Sequence, residues 1–200
     1  MAQRELTKLV SHLKSSSSTL SYEDTTGLLS RAKLLLLQLN ALTPATTTDA
    51  TLLSLARDVY EQGALASIRA KNPDAFTRYV SQLRPFYELT GPTGQKIDIA
   101  GGERNKVTGL YLLLLLTQGL YAEFHSELEA LATREGGSGG MAEVEGDRYL
   151  GYPIRLERWL MEGSYDRVWK AMKKGEVPCE EFGVFSEVCG FCTQLLLSCD

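Results

Sequence analysis

The sequence predicts an all-α fold, an α-solenoid of tetratricopeptide-like helical hairpins. Three observations carry that expectation. Apolar residues recur at helical spacing through most of the 200 residues. Val, Ile and Thr nowhere alternate with polar residues over a long stretch, so no strand is expected. Helix pairs are separated by short turns, at about Gly63 to Asn72, at Gly119 and at Gly163. Each hairpin then buries a face on the next. The turns are irregularly spaced, and no repeat of fixed period is present.

The elements follow in order. Residues 2–14 form a weakly amphipathic helix through Leu6, Leu9, Val10 and Leu13, and the serine run 15–18 links it to the next. A second helix starts near Glu23 and Asp24, whose carboxylates suit a helix N-terminus. It buries Leu28, Leu29, Ala32, Leu35, Leu36 and Leu39, and Thr43-Pro44 stops it. A third begins at Asp49, an N-cap residue. Its face runs Leu52, Leu53, Ala56, Val59, Tyr60, Gly63, Ala64 and Ser67, and the small residues at its end invite a close neighbour. Asn72 as N-cap and Pro73 at the first helical position restart the chain. The fourth helix carries Phe76, Tyr79, Val80, Leu83, Phe86 and Tyr87.

Residues 90–103 hold four glycines and a proline and are expected to be loop. The fifth helix, about 104–118, is apolar almost all round, as a central buried helix is. The sixth, 121–132, buries Phe124, Leu128 and Leu131 and exposes Glu123, Glu127 and Glu129. Residues 133–148, with Gly136-Gly137-Ser138-Gly139-Gly140, are expected to form a flexible Gly-rich loop. Pro153 opens a seventh helix through Trp159 and Leu160. Gly163-Ser164 turns it into an eighth with Tyr165, Val168 and Trp169. The domain reading is an N-terminal helix and serine-rich link over 1–22, a helical-repeat domain over 23–182, and an atypical Cys-containing tail over 183–200.

Composition narrows the function. The chain is 44% hydrophobic and 23% charged, as a globular protein is. Lys and Arg number 21 against 25 Asp and Glu, a net charge of −4, which disfavours a general nucleic-acid binder. No signal peptide is recognisable, and the longest apolar run, residues 110–116, falls far short of the about 20 needed to span a bilayer. All four cysteines lie in the last 22 residues, so a reducing, intracellular compartment is expected rather than a disulfide scaffold.

No constellation assembles an active site, and the expectation is no catalytic, cofactor-binding or metal-binding residue. Ser138 sits in a formal G-x-S-x-G match, but the elbow needs a strand before it and none is predicted. Gly91-Pro92-Thr93-Gly94-Gln95-Lys96 departs from the P-loop spacing. His125 and Glu129, with Glu127 nearby, form an i, i+4 pair, yet the only other histidine is the distant His12. Cys189-x-x-Cys192 has the spacing of a zinc half-site or redox pair, and Cys179 and Cys199 could complete four thiolates. The aromatic residues Phe76, Tyr79, Phe86, Tyr87, Trp159 and Trp169 have helical spacing and read as core.

Specific strings then carry a resemblance. They are Leu55-Ala56-Arg57-Asp58-Val59-Tyr60-Glu61-Gln62-Gly63-Ala64 with Phe76-x-x-Tyr79-x-x-Gln82-Leu83-x-x-Phe86-Tyr87, then Ala122-Glu123-Phe124-His125-Ser126-Glu127-Leu128-Glu129, and Leu156-Glu157-Arg158-Trp159-Leu160-Met161-Glu162-Gly163-Ser164-Tyr165. In register from about residue 24 to 182, they resemble the 26S proteasome non-ATPase regulatory subunit 8 family, PCI-type subunits of the regulatory particle lid. The resemblance implies a helical array followed by a winged helix, without catalytic activity or cofactor. It implies a scaffold in lid assembly and lid-base joining for ubiquitin-dependent degradation, in cytoplasm and nucleus. Its partners would be other lid and regulatory particle subunits, with no nucleic acid, membrane or small-molecule substrate. The chain is expected to stop before the winged helix. Two alternatives stand beside this reading. One is a PCI-type subunit of the signalosome or of translation initiation factor 3, which the Trp159 to Tyr165 string disfavours. The other is a zinc or thiol protein working through the C-terminal cysteines.

Overall fold

The structure is a computed structural model of the chain. It describes residues 2–16, 21–44, 49–88, 102–134, 140–172 and 177–188. Among these, every regular element is an α-helix, in agreement with the all-α class expected. The elements are α1 (Ala2–Ser15), α2 (Tyr22–Gln38), α3 (Ala50–Arg69), α4 (Pro73–Tyr87), α5 (Arg104–Thr117), α6 (Tyr121–Arg134), α7 (Gly140–Gly146), α8 (Gly151–Met161), α9 (Tyr165–Ala171) and α10 (Glu180–Val188). Two compact units are present, Met1–Arg104 and Asn105–Asp200, so the division falls inside the span expected to be one helical domain.

In the first unit, α1 pairs with α2, α3 pairs with α4, and α3 packs against both α1 and α2. This is hairpin stacking of the expected kind. The N-termini form as their side chains dictate. Asp49 accepts from the Thr51 N–H at 3.4 Å and from the Thr51 hydroxyl at 2.6 Å, and these bonds hold its carboxyl below the usual carboxylate range. Asn72 accepts from the Ala75 N–H at 3.0 Å, with Pro73 behind it. Both caps satisfy donors that the first helical turn leaves open.

Four helices close in the same way. The residue two past the C-cap donates back to the carbonyl five positions earlier, as Ala41 to Leu36, Asn72 to Ser67, Leu120 to Leu115 and Ser164 to Trp159. Between them sits a residue with positive φ: Asn40 (51°), Lys71 (58°), Gly119 (70°) and Gly163 (70°). This turn satisfies the last carbonyls and reverses the chain. Gly63, expected near a turn, lies inside α3; the turn is made by Lys71, because the α3 backbone stays helical to Arg69.

In the second unit, α5 is the buried helix the sequence predicts. Leu110, Leu112, Leu113, Leu114, Leu115 and Leu116 are all below 5% exposed, each contributing roughly 1.5–3 kcal/mol on burial. Phe124, Leu128 and Leu131 face inward from α6, which packs on α7. The expected Gly-rich loop over 133–148 is helical at both ends, through the last turn of α6 and through α7. Helix α7 is anchored by Val144, buried to 1% exposure, and just past its end Asp147 accepts from the Tyr149 and Leu150 N–H groups at 2.8 and 2.9 Å, capping the turn into α8. Helix α8 begins at Gly151, with Pro153 in its first turn. The expected tail over 183–200 starts inside α10, whose Phe182 is fully buried against Tyr149 and Tyr152.

Candidate protein-interaction surface

Among the described residues of each unit, those singled out for chemistry do not converge. His12 and His125 are both exposed, on α1 and α6. His125 Nε2 lies 3.4 Å from Glu157 Oε1 on α8, while Glu129 points to solvent on the next turn. Cys179 is half-buried; burial, reinforced by its hydrogen bond to Glu181, pushes its thiol up to about 11. That thiol stays protonated near neutrality, unlike a nucleophile or a metal ligand. Cys189, Cys192, Cys199, Ser138 and the 91–96 stretch lie outside the described residues. Among the described residues, no group of three or more His, Cys, Asp or Glu side chains is arranged to hold a metal ion. Among them, too, no helix is long and apolar enough to cross a membrane.

A charged cluster on α3 was not legible from periodicity. Every residue from 56 to 68 is buried, so Arg57, Asp58 and Glu61 lie inside the first unit. Lys14 Nζ on α1 reaches Asp58 Oδ2 at 2.7 Å, and Arg57 Nη2 reaches Asp58 Oδ1 at 2.8 Å. Glu61 Oε1 accepts from the Tyr87 hydroxyl at 2.9 Å, and Oε2 accepts from the Glu103 N–H at 2.8 Å. Arg57 Nε stands 3.7 Å from Glu61 Oε1. Desolvation pushes the Glu61 carboxyl above the usual carboxylate range, outweighing these partners. It also raises Tyr87 well above the phenol range, with the Glu61 charge adding to the effect. The only sequence signal was opposite charges at positions i, i+1 and i+4. The cluster is internal packing rather than a surface for binding.

The aromatic residues divide. Phe76 and Phe86 are core, as expected, and Tyr79, Tyr87 and Trp159 are half-buried. Trp169 is a correction, standing 43% exposed on α9. Val168 and Ala171 take the inward positions of this short helix, which leaves Trp169 on the outer side. Tyr165, four residues earlier and 37% exposed, shares that side, and Met161 at the end of α8 is 58% exposed. The Gly163 turn fixes α8 and α9 as a hairpin and so holds these three apolar side chains at the surface of the second unit. In the first unit, Leu34 and Leu37 are exposed at i, i+3 on α2. Exposed large apolar groups on a rigid helical frame suit protein contacts, where aromatic anchors supply most of the energy.

Residues 103–180 match the family model described as the CSN8/PSMD8/EIF3K family. The chain is 38% identical over 136 residues to 26S proteasome regulatory subunit RPN12 of Saccharomyces cerevisiae, covering 68% of this chain and 46% of that protein. It is 34% identical over 142 residues to rpn12 of Schizosaccharomyces pombe, covering 71% and 47%. It is 34% identical over 170 residues to 26S proteasome non-ATPase regulatory subunit 8 homolog A of Arabidopsis thaliana, covering 84% and 59%. Over residues 103–180 the chain is similar to the CSN8/PSMD8/EIF3K family, and over most of its length to proteasome regulatory subunits. It spans about half the length of the curated relatives it matches. The CSN8/PSMD8/EIF3K match encloses α5 to α9 whole, and with them Met161, Tyr165 and Trp169.

Proposed function

We propose that this chain is a non-catalytic structural part of the proteasome regulatory particle lid. It scaffolds lid assembly and the joining of lid to base, for ubiquitin-dependent protein degradation in cytoplasm and nucleus. The observation that carries this reading is the similarity to RPN12 over 136 residues. The architecture supports it. In the second unit the α8–α9 hairpin presents Met161, Tyr165 and Trp169 outward, and in the first unit the buried Glu61 carboxylate is spent on internal bonds. The partners proposed are other lid and regulatory particle subunits.

The same family description names two sister complexes, and a role in one of them is the competing reading. The relatives compared above carry proteasome names, which favours the lid. Affinity capture of the tagged chain from cells, read by mass spectrometry, separates the readings. Lid subunits at levels well above a tag control support the proposal. Signalosome or initiation-factor subunits in their place overturn it.

A further inference from the structure

Glu61 is where three separate parts of the first unit meet. It sits in the middle of α3 with 2% of its side chain exposed. Its two short hydrogen bonds go to residues far along the chain, Tyr87 at 2.9 Å and the Glu103 N–H at 2.8 Å. Its neighbour Arg57 is engaged elsewhere, with Nη2 2.8 Å from Asp58 and Nε 3.7 Å from Glu61. The Glu61 carboxylate is therefore more than the counter-ion of Arg57. The chain passes it with no side chain to spare: a Cβ on Gly102 would lie 2.7 Å from both Arg57 Nε and Glu61 Oε1. The Arg104 guanidinium, 5.6 Å from the Tyr87 ring centroid, makes a further contact between the same two flanks.

We propose that Glu61 is a two-ended staple. It is the positioning residue that holds the last turn of α4 and the backbone at 102–104 on α3 together. The charged and titratable groups around it are Arg57 and Asp58 on α3, Lys14 from α1 through Asp58, Tyr87 on α4, and Glu103 and Arg104. The staple does not depend on ionisation. A phenol hydroxyl donates to a carboxylate and accepts from a carboxyl O–H, and the second oxygen accepts from Glu103 in either state. A glutamine meets the same demands, its oxygen on the Glu103 N–H and its amide donating to Tyr87. An alanine meets neither.

Hydrogen exchange on the full chain tests this, with Glu61→Ala, Glu61→Gln and Tyr87→Phe against the parent. Losing a bond to a buried charged acceptor is expected to speed exchange at the Glu103 amide about tenfold or more in Glu61→Ala, while α1 and α2 amides hold within about twofold. Glu61→Gln keeps the Glu103 amide within about threefold of the parent. Tyr87→Phe speeds the Glu88 amide at the end of α4 and spares Glu103. An unchanged Glu103 amide in folded Glu61→Ala overturns the staple, as does a Glu103 amide equally fast in Glu61→Gln. Should Glu61→Ala unfold throughout, the other two variants decide on the same terms. An unchanged Glu88 amide in Tyr87→Phe then overturns it.

Discussion

The ring of Tyr79 on α4 lies against the bare Cα of Gly63 on α3. A Cβ at Gly63 would fall 2.6 Å from Tyr79 Cζ, far inside contact distance. Lys33 of α2 holds the ring from another direction, its Nζ 3.1 Å from the Tyr79 hydroxyl and 4.2 Å from the ring centroid. The ring therefore has little freedom to yield. Gly63→Ala would add about 1 kcal/mol of helix propensity in an isolated helix. Here it is expected to destabilise by about 1–3 kcal/mol through overpacking. Urea denaturation checks the sign, which a shift of the midpoint to higher urea would contradict.

Small residues at the end of α3, the two N-caps, the apolar α5 and the turns at Gly119 and Gly163 were all legible in the sequence. Each depends on local chemistry: a cap, a missing Cβ, a run of leucines. The rest depended on partners distant in the chain. Arg57, Asp58 and Glu61 fall outside the apolar face read for α3, and their partners are remote: Lys14 is 44 residues from Asp58, and Glu103 is 42 from Glu61. No periodicity reports such pairing. Helix α7 was hidden by its glycine-rich flank and is anchored by the buried Val144. Trp169 read as core because its spacing is helical, and spacing does not say which side of a seven-residue helix is covered.

Lys71 makes its turn at φ 58°, a conformation that costs a residue with a Cβ roughly 1–2 kcal/mol. Its exposed side chain gives nothing in the hydrogen-bonded turn that glycine would lose. Lys71→Gly is expected to stabilise the chain by about 0.5 kcal/mol, after the extra unfolded-state entropy of glycine is subtracted. A thermal melt measures it; a lower Tm would contradict the account.

Burial raises the Glu61 carboxyl, so the folded chain keeps that proton to higher pH than the unfolded chain does. The proton-linked part of the Glu61 contribution to stability is fully present below the unfolded value and is lost as pH rises through the raised folded value, while its two hydrogen bonds persist in either state. Glu61→Gln resembles the neutral carboxyl at every pH. Its Tm relative to the parent is therefore expected to climb as pH rises through that window, then level off. Melts across a pH series check this, and a relative Tm that falls with rising pH would contradict it.

The Cys179 thiol at about 11 carries roughly three-hundredfold less thiolate near neutrality than a free cysteine at about 8.5. Alkylation of Cys179, followed by peptide mass spectrometry, is expected to be slower by about that factor in the native chain than in urea. Equal rates in the two conditions would contradict its burial.

The proposed contact with a proteasome lid runs through exposed apolar side chains, and Tyr165 and Trp169 of the second unit are its aromatic members. The most direct measurement is quantitative capture from cells with the parent chain and with a Tyr165→Ser/Trp169→Ser variant, the two matched for Tm. Lid subunits are expected with the parent, and a loss of about tenfold or more in the variant, since exposed aromatic anchors dominate binding energy. Lid subunits absent from the parent capture, or recovered equally with both chains, would contradict it.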